Sequence, residues 1–82
     1  MKIVFRRSAE KELLTLEKPL AQRIFQKISH LSDNPFGLGN QKLAGGKGYR
    51  IRIGNYRVVY VVDKPSKTVL ITKIGHRKEV YN

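Results

Sequence analysis

The 82-residue chain has no cysteine, only six Asp and Glu, and no long apolar run. Without cysteine there is neither a disulfide framework nor a thiolate metal site, a pattern that fits a reducing cytoplasm. No stretch approaches the roughly 20 apolar residues of a membrane span. The N-terminus, Met1-Lys2-Ile3-Val4-Phe5-Arg6-Arg7, turns charged too early for a signal peptide. The expectation is a small cytoplasmic protein with no membrane attachment. Paired carboxylates and a nucleophile triad are also missing, and His30 has no partner at metal-ligand spacing, so no metal or other cofactor is expected. There is no internal repeat and no low-complexity segment.

What the chain does have is positive charge. Seventeen Lys and Arg leave a net +11, a density that points to nucleic acid, an acidic protein partner, or both. Residues 1–41 carry seven basic and four acidic side chains, whereas residues 42–82 carry ten and two. The first half therefore reads as scaffold, and the second as the anion-binding surface. At this length one domain over residues 1–82 is expected, near the lower end of what a single apolar core can hold.

Lys2 to Phe5 is a short β-branched run and reads as an opening strand. Ser8 offers a helix N-cap, with Glu10 and Glu12 in or near the first turn and Leu13, Leu14 and Leu16 as an apolar stripe. Pro19 suits the first turn of a second helix, in which Leu20, Ile24, Ile28 and Leu31 recur at helical spacing, Phe25 widens the stripe, and Asp33-Asn34-Pro35 stops it. Asn34 to Gly48 holds five of the seven glycines and reads as a loop. Its Gly45-Gly46-Lys47-Gly48 lacks the spacing of a phosphate-binding loop and is taken as a connector. A β-hairpin follows, then a turn at Asp63-Lys64-Pro65-Ser66-Lys67 and a last strand from Thr68 to Ile74. The order β-α-α-β-β-β predicts an α+β fold, its sheet mostly antiparallel and its helical hairpin packed on one face.

The hairpin, Tyr49-Arg50-Ile51-Arg52-Ile53-Gly54-Asn55-Tyr56-Arg57-Val58-Val59-Tyr60, is the most informative segment. Gly54-Asn55 predicts a two-residue type II′ turn, which sets Ile53 opposite Tyr56, Arg52 opposite Arg57 and Ile51 opposite Val58. Alternation then puts Tyr49, Ile51, Ile53, Tyr56, Val58 and Tyr60 on one face and Arg50, Arg52 and Arg57 on the other. Like charges directly opposite one another are destabilising, so three clustered guanidiniums point to an anionic ligand. The plainer alternative is a solvated strand face. A symmetric closure of the next turn places Lys73 beside Arg57, and Val59, Val61, Val69 and Ile71 in an apolar patch on the same face.

The tail, Gly75-His76-Arg77-Lys78-Glu79-Val80-Tyr81-Asn82, adds further donors and a phenol. Such a set suits metal-free phosphodiester chemistry on RNA. Guanidiniums stabilise the charge on the phosphate oxygens, a base takes the 2′-hydroxyl proton, and an acid protonates the leaving 5′-oxygen. Tyr81 can also stack on an unpaired base. Other readings stand beside these: Tyr81 as a frayed surface aromatic, His76 as an anchor for the tail, Lys78 as solvated charge, and Glu79 as a salt-bridge partner. Lys47, Lys73 and Lys78 are candidates for holding RNA phosphates.

Tyr49-Arg50-Ile51-Arg52, Tyr56-Arg57-Val58-Val59-Tyr60 and Gly75-His76-Arg77-Lys78-Glu79-Val80-Tyr81 resemble the RelE branch of the RelE/ParE toxin superfamily, and the likeness covers nearly the whole chain. The resemblance implies the toxin of a type II toxin–antitoxin pair, an endoribonuclease that cleaves messenger RNA in the ribosomal A site. It implies Arg50, Arg52, Arg57, Arg77 and Tyr81 as the catalytic set, with His76 or Glu79 as further acid/base candidates. RelE often has lysine at the first two positions, where one can serve as base. Arginine stays protonated, which leaves the base open among Tyr81, His76 and Glu79. The chain also stops at Asn82, where many relatives continue into a C-terminal helix. The implied partners are a cognate antitoxin, the ribosome and mRNA, and, for the toxin–antitoxin complex, its own operator DNA. Two other activities are compatible with the hairpin: ParE-like inhibition of DNA gyrase by binding, and an inactive relative that acts as co-repressor with its antitoxin.

Overall fold

The protein is described by a computed structural model, which defines residues 1–35, 41–42 and 48–76. The elements are strand β1 (Lys2–Phe5), helices α1 (Arg7–Leu14) and α2 (Lys18–His30), then strands β2 (Gln41–Lys42), β3 (Tyr49–Ile53), β4 (Tyr56–Asp63) and β5 (Thr68–His76). The strands form one sheet in the order β1-β5-β4-β3-β2. All neighbours are antiparallel except β1 and β5, which run parallel. A parallel pair cannot be joined by a tight turn, and here the helices and the other strands make the crossover. The α+β fold with a mostly antiparallel sheet is as the residue pattern predicts. The two-residue strand β2 lies inside the segment read as loop.

The helices begin where local chemistry permits. Pro19 is the second residue of α2, where its missing N–H costs nothing. Ser8 is not the N-cap of α1. The helix has its N-cap two residues earlier, at Arg6, which makes no side-chain cap. Its start is set by the sheet, because Arg6 donates its N–H to the Ile71 carbonyl at 2.8 Å and so carries the chain straight from β1 into α1. Among the described residues, no helix is long and apolar enough to cross a membrane.

Ala9, Ile24, Ile28 and Leu31 pack on Ile51, Ile53, Val58, Tyr60, Val69, Ile71 and Ile74 of the sheet, and all are buried. The expected α2 stripe is therefore the core stripe. Leu13 and Leu16 pack at its margin, whereas Leu14 is 75% exposed. Phe25 is half-exposed and stacks on Phe5 at a centroid distance of 6.4 Å. Tyr60 is fully buried and donates its hydroxyl to the Pro35 carbonyl at 2.6 Å, tying the end of the α2 segment to the centre of the sheet. Its ring stacks on Tyr49, its cross-strand neighbour, at 5.6 Å.

The hairpin register is the one the Gly54-Asn55 turn predicts: Ile53 faces Tyr56, Arg52 faces Arg57, and Ile51 faces Val58. Gly54 takes φ +61° and Asn55 has no positive φ, the signature of a type II′ turn. The register of β5 differs from the symmetric closure. Asp63 already pairs with Thr68 across a tighter turn, in which Lys67 adopts φ 53°. This moves β5 one residue along and exchanges its faces. Val69 and Ile71 therefore lie in the core rather than in an outer patch. A second shift follows, because Tyr60 pairs with Ile71 while Val59 pairs with Lys73, leaving Thr72 in a bulge. The Thr72 hydroxyl donates to the Val59 carbonyl at 3.2 Å and closes it. The bulge returns Ile74 to the core face.

Candidate nucleic-acid interface

With the helices on one side of the sheet, the opposite face carries the basic residues in two rows. One row runs Arg50, Val59, Lys73 across β3, β4 and β5. The next, toward the Gly54 turn, runs Arg52, Arg57, Gly75. Arg52 and Arg57 are thus direct cross-strand neighbours, and Arg50 is diagonal to Arg57, spacings of about 5 and 7–8 Å between Cα or Cβ atoms. All three expected guanidinium carriers share the face.

Their environments differ sharply. Arg52 is exposed and Arg50 half-buried, whereas Arg57 is only 3% exposed and its Nε is shielded from solvent. Burying an arginine sacrifices solvation, and a second arginine beside it adds Coulomb repulsion, so the fold holds this position against both. It also limits the conformers open to the side chain. The residue beside Arg57 on β5 is Gly75, which is buried and has no side chain to compete for the space. Arg57 is therefore held, shielded from solvent, with exposed Arg52 as its partner on β3 and Gly75 as its partner on β5.

The structure does not bring Lys73 to this cluster. The register puts it opposite Val59 rather than beside Arg57, and its ammonium lies 3.1 Å from Glu12 Oε2 on α1. The other oxygen of that carboxylate, Oε1, accepts the Ile74 N–H at 3.1 Å. This double use of Glu12 escaped sequence reasoning, which placed it at the N-terminal end of α1. His76 belongs to β5 rather than to a tail. It stands opposite Tyr56 and meets that ring edge-on at 5.5 Å, on the face away from the arginines. Tyr60 lies in the core, and Tyr56 packs at its margin. Lys47, Arg77, Lys78, Glu79 and Tyr81 lie outside the described residues, as does Gly45-Gly46-Lys47.

The expected apolar patch is present in altered form. Val4, Leu70 and Val61 align across β1, β5 and β4 on the arginine face, with Val59 between them and the arginines. Val4 and Val61 are each more than a third exposed.

Residues 3–81 match the family described as the ParE toxin of the type II toxin–antitoxin system parDE. Toxin RelE3 of Methanocaldococcus jannaschii is 30% identical over 87 residues, an alignment that spans 100% of this chain and 97% of that protein. The chain belongs to the RelE branch of the RelE/ParE toxin superfamily. It is a toxin of the type II toxin–antitoxin class. Solved relatives share the fold closely. The archaeal RelE–RelB complex from Pyrococcus horikoshii OT3 superposes with a TM-score of 0.80 at 28% identity, covering 93% of each chain. The intact E. coli RelBE complex gives 0.81 at 26%, covering 92% of this chain and 94% of that one.

Proposed function

We propose that this toxin is a ribosome-dependent endoribonuclease that cleaves mRNA in the A site without a metal ion. The observation that carries the proposal is buried Arg57 directly across the hairpin from exposed Arg52, with half-buried Arg50 diagonal to it on the same sheet face. Membership in the RelE branch supports it.

In the proposed reaction the 2′-oxygen attacks the adjacent phosphorus, and the bond to the 5′-oxygen breaks. A base removes the 2′-hydroxyl proton and an acid protonates the departing 5′-oxygen, leaving a 2′,3′-cyclic phosphate and a 5′-hydroxyl. Arg57 holds a non-bridging oxygen in its fixed fork and stabilises the charge that grows there, while Arg52 and Arg50 draw in the flanking phosphates. Arg77 and Tyr81 complete the set. None of the arginines can serve as the base. His76 points to Tyr56, so Tyr81 and Glu79 are the better candidates for proton transfer. Lys47 and Lys78 remain proposed phosphate contacts, whereas Lys73 is engaged by Glu12.

RelE relatives occur in complexes with RelB antitoxins, and we propose that a cognate antitoxin covers the arginine face here. The apolar row Val4, Leu70, Val61 beside a +11 charge suits a segment with apolar residues followed by carboxylates.

Primer extension on a defined message in a reconstituted translation reaction tests the proposal. Cuts within the A-site codon, lost in Tyr81→Phe, are the expected result. Intact message together with loss of gyrase supercoiling activity would instead support a ParE-like binding toxin, a reading kept open by the family match to ParE. Intact message with supercoiling unaffected would point to a co-repressor.

A further inference from the structure

Strand β1 ends at Phe5, opposite Ile71, and the last backbone link between that edge of β5 and the N-terminal segment is Arg6 N–H to the Ile71 carbonyl. Beyond Ile71 the chain bulges at Thr72 and runs on through Ile74, Gly75 and His76 with, among the described residues, β4 on one side only. On the other side α1 takes the place of a strand. One carboxylate does the joining: Glu12 Oε1 accepts the Ile74 N–H, and Oε2 holds the Lys73 ammonium, each at 3.1 Å. The next residue along, Gly75, is the immediate neighbour of Arg57.

We infer that Glu12 is a positioning residue for the arginine site: it fixes the terminal segment of β5 against which Arg57 is set. The inference rests on the proposed nuclease reading for its consequence, and on the hydrogen-bond geometry for its substance. A half-exposed ion pair alone contributes little. The bond to Ile74 N–H is different, because it gives a donor on an open strand edge a fixed partner just past a bulge, where the ladder is weakest. Glutamine at position 12 still presents a carbonyl oxygen to Ile74, whereas alanine presents nothing. The two substitutions therefore separate the hydrogen bond from the charge.

The test combines amide hydrogen exchange on the whole chain with single-turnover cleavage on programmed ribosomes. In Glu12→Ala, the amides of Ile74, Gly75 and His76 are expected to exchange about tenfold faster while Val58 and Tyr60 are unchanged. The cleavage rate at saturating toxin is expected to fall about tenfold with little change in the half-saturating concentration, because a misplaced fork binds but stabilises the transition state poorly. Glu12→Gln should match the parent in both readouts. Uniformly faster exchange across the sheet would show a global loss of stability and overturn the inference, as would Glu12→Gln behaving like Glu12→Ala. Unchanged exchange at Ile74 to His76 would overturn it as well. If the unsubstituted toxin does not cut at all, the nuclease reading fails, and localised exchange at these three amides alone decides whether Glu12 holds the segment.

Discussion

Burial of Arg57 removes solvation from one guanidinium while exposed Arg52 across the hairpin adds repulsion, and the fold keeps the arrangement where Gly75 is its partner on β5. Alternation along the hairpin was enough to put Arg50, Arg52 and Arg57 on one face. The burial of Arg57 was not legible, because it depends on which residue of β5 lies alongside, and that is set by a turn and a bulge far along the chain. The two arginines should separate by role. Arg52→Ala removes an exposed phosphate contact and is expected to raise the half-saturating toxin concentration on programmed ribosomes about tenfold, with the rate at saturation nearly kept. Tyr60→Phe tests a purely structural contact. It leaves the buried Pro35 carbonyl without that 2.6 Å donor, and urea unfolding should show a loss of about 1–2 kcal/mol.

Turns decide what each strand can do. The Gly54-Asn55 turn has two residues, so its chemistry fixes the register of β3 and β4 outright, and the sequence was readable there. A Cβ at Gly54 meets nothing within 4 Å, so Gly54→Ala has room but must hold φ +61°. The expected cost is about 1–2 kcal/mol in thermal unfolding, all of it from the backbone. Lys67 is the counterpart, a non-glycine residue at φ 53°. Lys67→Gly should be neutral or stabilise by up to about 1 kcal/mol in the same measurement. The β4–β5 turn gives no comparable signal in its residues: Asp63-Lys64-Pro65-Ser66-Lys67 permits either closure, and the tighter one transfers Val69 and Ile71 from the outer face to the core. Thr72, which carries the bulge, is an ordinary strand residue by type. Glu12 was equally hidden, since its partners lie 61 and 62 positions away in sequence.

Over the whole molecule, charge and apolar surface divide along one sheet face. The arginines lie toward the Gly54 turn, and Val4, Leu70 and Val61 toward the other end. The fold class and the α2 core stripe could be read from periodicity, because a core needs only a face of the right spacing. The apolar patch could not, because its membership depends on the β5 register. For the proposed antitoxin this correction changes the test. Charging Ile71 would unfold the core, whereas Val61→Asp with Leu70→Asp alters the outer face. That double variant is expected to bind the cognate antitoxin at least about 100-fold more weakly by calorimetry, because two apolar side chains are no longer there to be buried on binding.

In the proposed reaction Arg57 stabilises charge on the scissile phosphate. That role can be read from the single-turnover rate of A-site mRNA cleavage by Arg57→Ala at saturating toxin, with circular dichroism confirming a folded chain. A fall of about 10²–10³ in rate is predicted, the usual loss for one preorganised donor to a developing oxyanion. Cleavage at the parent rate by a folded Arg57→Ala protein would show that Arg57 has no such role.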